Sequence, residues 1–477
     1  MKLMRSISLA FFGAVLLLMM LQQSCSVGPN LTEHPVPLPQ QYLNDTLPPD
    51  SAEMVSWWNL FNDPVLDSLV RLALDTNRNL LVAAQRVEQA RLQTRIAKGE
   101  FGPKINAVGN MVGGNFFNVP RSDNFEFFFG GANASWEIDF WGKFRRLSQN
   151  AKANYLSSMS AQRAVQISLI SEVTRQYFNL LEYQASLEIS EETLELRRAT
   201  LDIIEARFDK GIAAEIDLNQ SQIQYAIAKE AVPIYRQLYY NTMLALRLLT
   251  GQNPGPVEPG LELEQIALQD SIPPGLPAQI IEKRPDVQQA WYDAVAQNAL
   301  VGAAQANRFP AITLSGMVGG AGSDFSNFGS AALAYNVGGG LVAPLFHWNQ
   351  NLRRVQFEKA GTEAALFNYE NSVLTALSEV ETALVNIQAN EDRIEANLER
   401  TEAAVNALYL SDQRYIRGVT SYLEYLESQR QAFDAQLALA TSRADLLRSY
   451  MDLYRAIGGG WISEEEQQQF EEEQEED

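Results

Sequence analysis

The feature that most constrains this chain is that it is written twice. Shifting the sequence by 207 positions brings Phe101-Gly-Pro103-Lys-Ile105 near Arg308-Phe-Pro310-Ala-Ile312, Gly109 onto Gly316 and Gly251 onto Gly458. The segment from Arg207 through Gly211 to Ser221-Gln222 falls on Arg414 through Gly418 to Ser428-Gln429. Ala83, Ala90 and Ala97 fall on Ala290, Gln297 and Ala304, and one residue of slippage is needed at Arg145-Arg146 against Arg353-Arg354. An offset held over about 180 residues marks a duplication, so whatever one copy folds into, the other folds into as well.

Each copy predicts the same series of elements. Helical periodicity covers 64–98 and 277–307, and Pro103 and Pro310 stop these helices. Gly- and aromatic-rich stretches follow, each a β-hairpin, over 104–140 and 311–345, with turn-rich residues at 118–123 and 322–327. Leu333, Tyr335, Val337, Leu341 and Leu345 sit at even spacing, as a strand with one apolar face requires. Long helical stretches come next, 143–210 and 351–417, each spanning roughly 100 Å at ~1.5 Å per residue. Val173, Leu180, Leu187, Leu194, Leu201 and Phe208 recur every seven residues, matched in the second copy by Val380, Ile387, Ile394, Thr401, Leu408 and Tyr415. That period predicts a coiled-coil-like seam. Gly211 and Gly418 end these helices as left-handed caps, and helices over 215–249 and 422–457 return.

The whole chain divides into a signal peptide (1–24), a lipid-anchored extended segment (25–60), the first repeat (61–251), a linker (252–277), the second repeat (278–458) and an acidic disordered tail (459–477). Lys2 and Arg5 precede an apolar run from Ile7 to Leu21, the pattern of a secretion signal. Cys25, the sole cysteine, follows four residues later and is expected to carry covalent lipid, although Gln22 stands where such signals ordinarily have Leu. No cofactor is expected apart from that lipid. The net charge of -21 argues against nucleic acid as a partner. No later segment approaches ~18 uninterrupted apolar residues, so any membrane crossing must be made by β-structure.

Two hairpins supply four strands, too few to close a barrel, and lipid leaves open sheet edges unsatisfied. Two chains would give eight strands around a filled interior; three would give twelve, with room for a passage. Helices this long and polar must then project into water.

The sequence resembles the TolC family of outer-membrane efflux proteins, in its NodT-like lipoprotein branch. The marks that carry the resemblance are Cys25-Ser-Val-Gly-Pro29, Trp57-Trp58-Asn-Leu-Phe61-Asn-Asp63-Pro64, Arg284-Pro285-Asp286-Val287 and the Arg-x-x-x-Gly before each returning helix. The resemblance implies an α+β membrane protein. It would be a homotrimer whose twelve-stranded β-barrel continues into an α-helical periplasmic tunnel, anchored in outer-membrane lipid. It further implies a passive efflux conduit working with a periplasmic membrane-fusion adaptor and an inner-membrane resistance-nodulation-division pump.

Residue roles follow from the same resemblance. The turns at Gly211-Ile212 and Gly418-Val419-Thr420 become adaptor docking tips, beyond their plain role as helix caps. Glu424 and Glu427 share a helix face and become acids of a constricted entrance; a solvated surface pair is the competing reading. Asp217 and Tyr415 become hydrogen-bonding locks between neighbouring helices. From composition alone, Trp136, Trp141, Phe116 and Phe117 read either as an aromatic girdle at the headgroups or as buried core. A lipid-anchored periplasmic adaptor or tether is the alternative function. A hydrolase finds no Ser-His-acid set, metal cluster or phosphate loop in this sequence.

Overall fold

A computed structural model describes residues 27–32, 34–43, 61–114, 125–266, 284–323 and 331–459. The signal region with Cys25, Trp57, Trp58, Phe116, Phe117, the turn-rich stretches between the paired strands (Gly322 and Ser323 apart), the end of the linker and the acidic tail beyond Gly459 lie outside them. The elements in chain order are α1 (Pro64–Thr76), α2 (Arg78–Gly99), β1 (Lys104–Gly114), β2 (Phe125–Ile138), α3 (Lys143–Asp209) and α4 (Glu215–Leu249). The second copy gives α5 (Pro285–Ala306), β3 (Ala311–Gly322), β4 (Ala332–Val342), α6 (Gln350–Ile416) and α7 (Tyr422–Ala456).

The duplication is kept to the residue. α3 and α6 each have 67 residues, α4 and α7 each have 35, and every pair starts 207 positions apart. The slippage read at the doubled arginines does not exist. Unbroken helices keep count, so Arg146 matches Arg353 and Arg145 matches Leu352. A second correction concerns 64–98, which is two helices rather than one. Asn77 takes an extended backbone between them. Its side-chain oxygen accepts from the backbone N–H groups of Asn79 (3.0 Å) and Leu80 (3.1 Å), and its amide donates to the Leu249 carbonyl at 2.8 Å. An asparagine cap thus restarts the helix where periodicity alone reads continuity.

The described chain forms two compact units, with α2, α3, α5 and α6 each contributing to both. The first unit holds the residues up to Pro35, Gln85–Met159 and Gln289–Glu370. Its sheet is antiparallel throughout in the order β1-β2-β3-β4, which leaves β1 and β4 as edges. On β4, Leu333, Tyr335, Val337 and Leu341 are all exposed, an apolar face turned outward. Trp136 donates its indole N–H to the Phe101 carbonyl at 2.8 Å, and Trp141 donates to that of Pro310 at 2.9 Å while stacking on Phe309.

The Val27-Gly28-Pro29 motif is clasped in the same unit. The Arg146 guanidinium donates to the carbonyls of Val27 (3.2 Å) and Gly28 (2.9 Å) and to Asn30 Oδ1 (2.7 Å). Val27 N–H donates to the Trp141 carbonyl at 3.3 Å. Gly28 has φ of 115°, and a Cβ there would lie 2.5 Å from Gly302 Cα, so only glycine serves.

The second unit holds Val36–Ala84, Ser160–Gln288 and the chain from Asn371. Its core includes Tyr177, Phe178, Leu180, Leu246, Met451 and Tyr454. The expected heptad seam holds only in part. Val173 and Leu180 are buried, whereas Leu187, Leu194 and Leu201 are half-buried and Phe208 is exposed. From Ser186 onward the buried stripe of α3 is Ser186, Ser190, Thr193, Arg197, Thr200 and Ile204. Those residues are small, polar or long, so packing between helices replaces a leucine seam. Among the described residues, no helix is long and apolar enough to cross a membrane.

Candidate functional site: the helix-turn tips of the second unit

Both long helices end in the same turn. Gly211 (φ 71°) donates its N–H to the Phe208 carbonyl and Ile212 donates to Arg207, each at 2.8 Å. Gly418 (φ 70°) donates to Tyr415 at 3.0 Å and Val419 to Arg414 at 2.9 Å. This six-to-one and five-to-two pair of bonds is the Schellman arrangement, and the left-handed residue in it favours glycine. No atom stands within 4 Å of a Cβ added at either glycine, so the backbone angle imposes the residue, not space. Ile212 and Val419, the next residues, are 73% and 67% exposed, leaving an apolar side chain in water at each tip. Neither return helix has a side-chain cap bond at Ala214 or Ser421.

Directly behind the turns the two hairpins meet in a tyrosine cluster. Ile204, Tyr422 and Tyr425 are buried, with Leu218, Leu408, Tyr415 and Leu426 packed against them. Tyr415 stacks on Tyr425 and tilts against Tyr422, with centroids 5.7 Å apart in the latter pair. The Arg207 guanidinium lies 4.8 Å over the Tyr415 ring, so a cation from the first copy covers an aromatic face of the second. Burial pushes the hydroxyls of Tyr422 and Tyr425 up, and both stay neutral at physiological pH.

The sequence-predicted acids sit at the rim of this cluster. Glu424 pairs with Arg414 at 3.2 Å and accepts from the Thr420 hydroxyl. Glu427 accepts from Arg430 and from Gln431, both at 2.9 Å. The Arg430 hydrogen bond, followed by that from Gln431, holds the Glu427 carboxyl below the usual range. Asp217 lies beside Tyr422, where its charge further disfavours the phenolate. No hydrogen bond joins Asp217 to Tyr415 among the described residues. The structure therefore seats Tyr415 in the tyrosine cluster, joins Thr420 and Glu424 with Arg414 beside it, and keeps the Glu427 pair to its own helix. Among the described residues no group of three His, Cys, Asp or Glu could hold a metal ion.

Sequence reasoning singled out Tyr415 and missed its partners. Tyr422 and Tyr425 stand three apart on one helix face, which was the available signal. It also missed Arg197, buried on α3 farther from the tip. Arg197 donates to the Gln224 carbonyl at 3.0 Å and lies 5.1 Å from the Phe433 ring. Burial pushes its pKa down.

Comparison with known proteins bears on both copies. The model of the family described as outer membrane efflux protein matches residues 69–252 and again 276–459, two stretches separated by the same 207 positions. The chain is 32% identical over 412 residues to the solvent efflux pump outer membrane protein SrpC of Pseudomonas putida, covering 84% of this chain and 86% of that one. It is 30% identical over 448 residues to the cation efflux system protein CusC of Escherichia coli O6:H1, covering 92% and 96%. Among solved structures, the Campylobacter jejuni CmeC outer membrane channel superposes with a TM-score of 0.87 at 25% identity, over 94% of this chain and 98% of that one. The outer-membrane channel OprN gives 0.84 at 28%, over 92% and 100%.

Proposed function

The chain belongs to the outer membrane efflux protein family, and from that membership we propose that three copies pool their sheets into one barrel through which small molecules leave the cell. It is an outer-membrane channel subunit of an efflux system, with its helices in the periplasm. The observation that carries the trimer is the open four-stranded sheet: β1 and β4 are unpaired edges flanked by exposed apolar side chains. In lipid such edges require a partner, and three sheets make twelve strands. The adaptor or tether alternative loses its ground, because the family match covers both hairpins and both copies.

The tips are then the surface that meets a periplasmic membrane-fusion adaptor, with the inner-membrane resistance-nodulation-division pump behind it. Gly211 and Gly418 turn the chain, and Ile212, Val419 and Thr420 present contact groups. Tyr415 and Asp217 hold the entrance narrow through the tyrosine cluster. Glu424 and Glu427 line that entrance, where threefold repetition gathers six carboxylates and attracts cations. Cys25 carries covalent lipid. It stands two residues before Val27, whose N–H bonds the Trp141 carbonyl at 3.3 Å, so the anchor can be at most about 10 Å from that carbonyl. That reach supports a seat for Trp141 near the headgroups, in a girdle shared with Trp136, Phe116 and Phe117.

The test is the mass and conductance of detergent-extracted protein. A trimer that forms cation-sensitive channels in planar bilayers is expected. A water-soluble monomer without channel activity would overturn the reading.

A further inference from the structure

Building on the trimer reading, we infer that β4 of one copy pairs with β1 of the next in a register already recorded inside the chain, with Val342 opposite the partner subunit's Val108 and Leu341 opposite the partner subunit's Gly109. The β2–β3 ladder is the junction between the first and second copies, and it pairs Ser135 with Ser315, Ala134 with Gly316 and Phe129 with Ala321. Both hairpins repeat at 207 positions without slip: Lys104 faces Ser135 in the first and Ala311 faces Val342 in the second. β2 therefore corresponds to β4, and β3 to β1, residue for residue. Carrying the junction forward turns Ser135–Ser315 into Val342–Val108, Ala134–Gly316 into Leu341–Gly109, and Phe129–Ala321 into Asn336–Gly114. A ring closed by six equivalent junctions needs the one between chains to match the one within.

A second observation on the same edge agrees. Trp348 is the repeat partner of Trp141, yet it is 86% exposed, and it and Asn349 take left-handed backbone (φ 47° and 60°). Among the described residues its one ring contact is with Phe346, with centroids 5.1 Å apart. Trp141 has its seat on Phe309 and the Pro310 carbonyl. The corresponding seat for Trp348 is the partner subunit's Pro103 carbonyl. An exposed tryptophan on strained backbone is thereby given a hydrogen-bond acceptor and a surface to cover.

Paired cysteines read the register directly. Cross-strand neighbours in an antiparallel ladder have Cα atoms about 4.5–5.5 Å apart, within disulfide reach, while diagonal neighbours are farther. Cys25 is the chain's only native cysteine, and with its sulfur in the proposed lipid thioether no native thiol competes. Val108→Cys/Val342→Cys and Gly109→Cys/Leu341→Cys are oxidised in isolated outer membranes and run without reductant. A Cβ at Gly109 meets nothing within 4 Å, so that site tolerates the change. Covalent dimers and trimers are expected from at least one of these pairs, with about tenfold less product from each single cysteine and from the slipped pair Val108→Cys/Gly340→Cys. Cross-linking of the slipped pair equal to or above the in-register pairs, in protein of trimeric mass, overturns the register and leaves the trimer standing. So does trimeric mass with no cross-link from either in-register pair. Monomeric mass overturns both. Trp348→Ala is expected to lower the temperature at which the trimer dissociates, and an unchanged temperature removes the tryptophan seat.

Discussion

Tyr415 of α6 and Tyr425 of α7 lie face to face, ring centroids 5.5 Å apart and planes within 10°. The stack joins the end of one long helix to the start of its return helix, inside the cluster proposed to keep the entrance narrow. Such a pair contributes about 0.5–1.5 kcal/mol beyond its buried area. Tyr415→Ala is expected to raise single-channel conductance in planar bilayers several-fold. Tyr415→Phe keeps the ring and raises it less, and Asp217→Ala also raises it. Conductance of Tyr415→Ala equal to wild type would remove the lock.

A hydrogen bond from Arg430 depresses the Glu427 carboxyl, so the group stays charged below the ordinary carboxylate range. For a group whose folded pKa is lowered, the effect of its charge is full above the usual value and fades only as pH falls through the lower one. Block of conductance by a trivalent cation should therefore persist as pH is taken from 7 to about 4.3. Arg430→Ala should shift the loss of block to higher pH, and Glu427→Gln should weaken block at neutral pH. Identical pH profiles for wild type and Arg430→Ala would exclude this origin.

Ile212 and Val419 are exposed and their backbone turns are set by the preceding glycines. Ile212→Asp/Val419→Asp should leave trimer mass and thermal stability unchanged while abolishing efflux, read as drug or metal susceptibility matching that of the deletion strain. Full resistance in the double variant would show that the tips dock nothing.

Asp63 is fully buried and serves three elements. It accepts from Val65 N–H at 2.8 Å and Leu66 N–H at 3.3 Å, capping α1, and from Leu261 N–H at 3.2 Å and the Tyr177 hydroxyl. A cap contributes about 1 kcal/mol, and a hydrogen bond to a charged group about 1.5–3. Asp63→Ala should cost about 3–5 kcal/mol, and Asp63→Asn less, in denaturant unfolding of the helical signal. Burial and then Asp63 itself push the Tyr177 hydroxyl up. The contribution of this pair is thus complete below the ordinary tyrosine pKa and is lost only as pH rises through the higher folded value.

The architecture is legible in the sequence because it is periodic at two scales. The 207-residue offset fixes the pairing of copies, and the helical and alternating patterns fix the elements. What escapes is decided by single side chains or by residues from different hairpins. Asn77 splits a helix through its own cap bonds, which hydrophobic periodicity does not register. The leucines at 187, 194 and 201 look like a seam, but the buried face there is serine, threonine and Arg197, because that face packs against α4 and α7 rather than a like helix. At the tip, Tyr415 is visible as a resemblance. Its stack on Tyr425 and its cover by Arg207 depend on two hairpins meeting in space.

The unbroken count between the copies has a practical corollary. Every position within the repeats has a twin in the same polypeptide, under the same expression level and in the same bilayer. A substitution placed in one half alone produces a ring alternating three altered sites with three intact ones; placed in both halves, it alters all six. Comparing the two variants separates what a residue does locally from what depends on the unbroken circle.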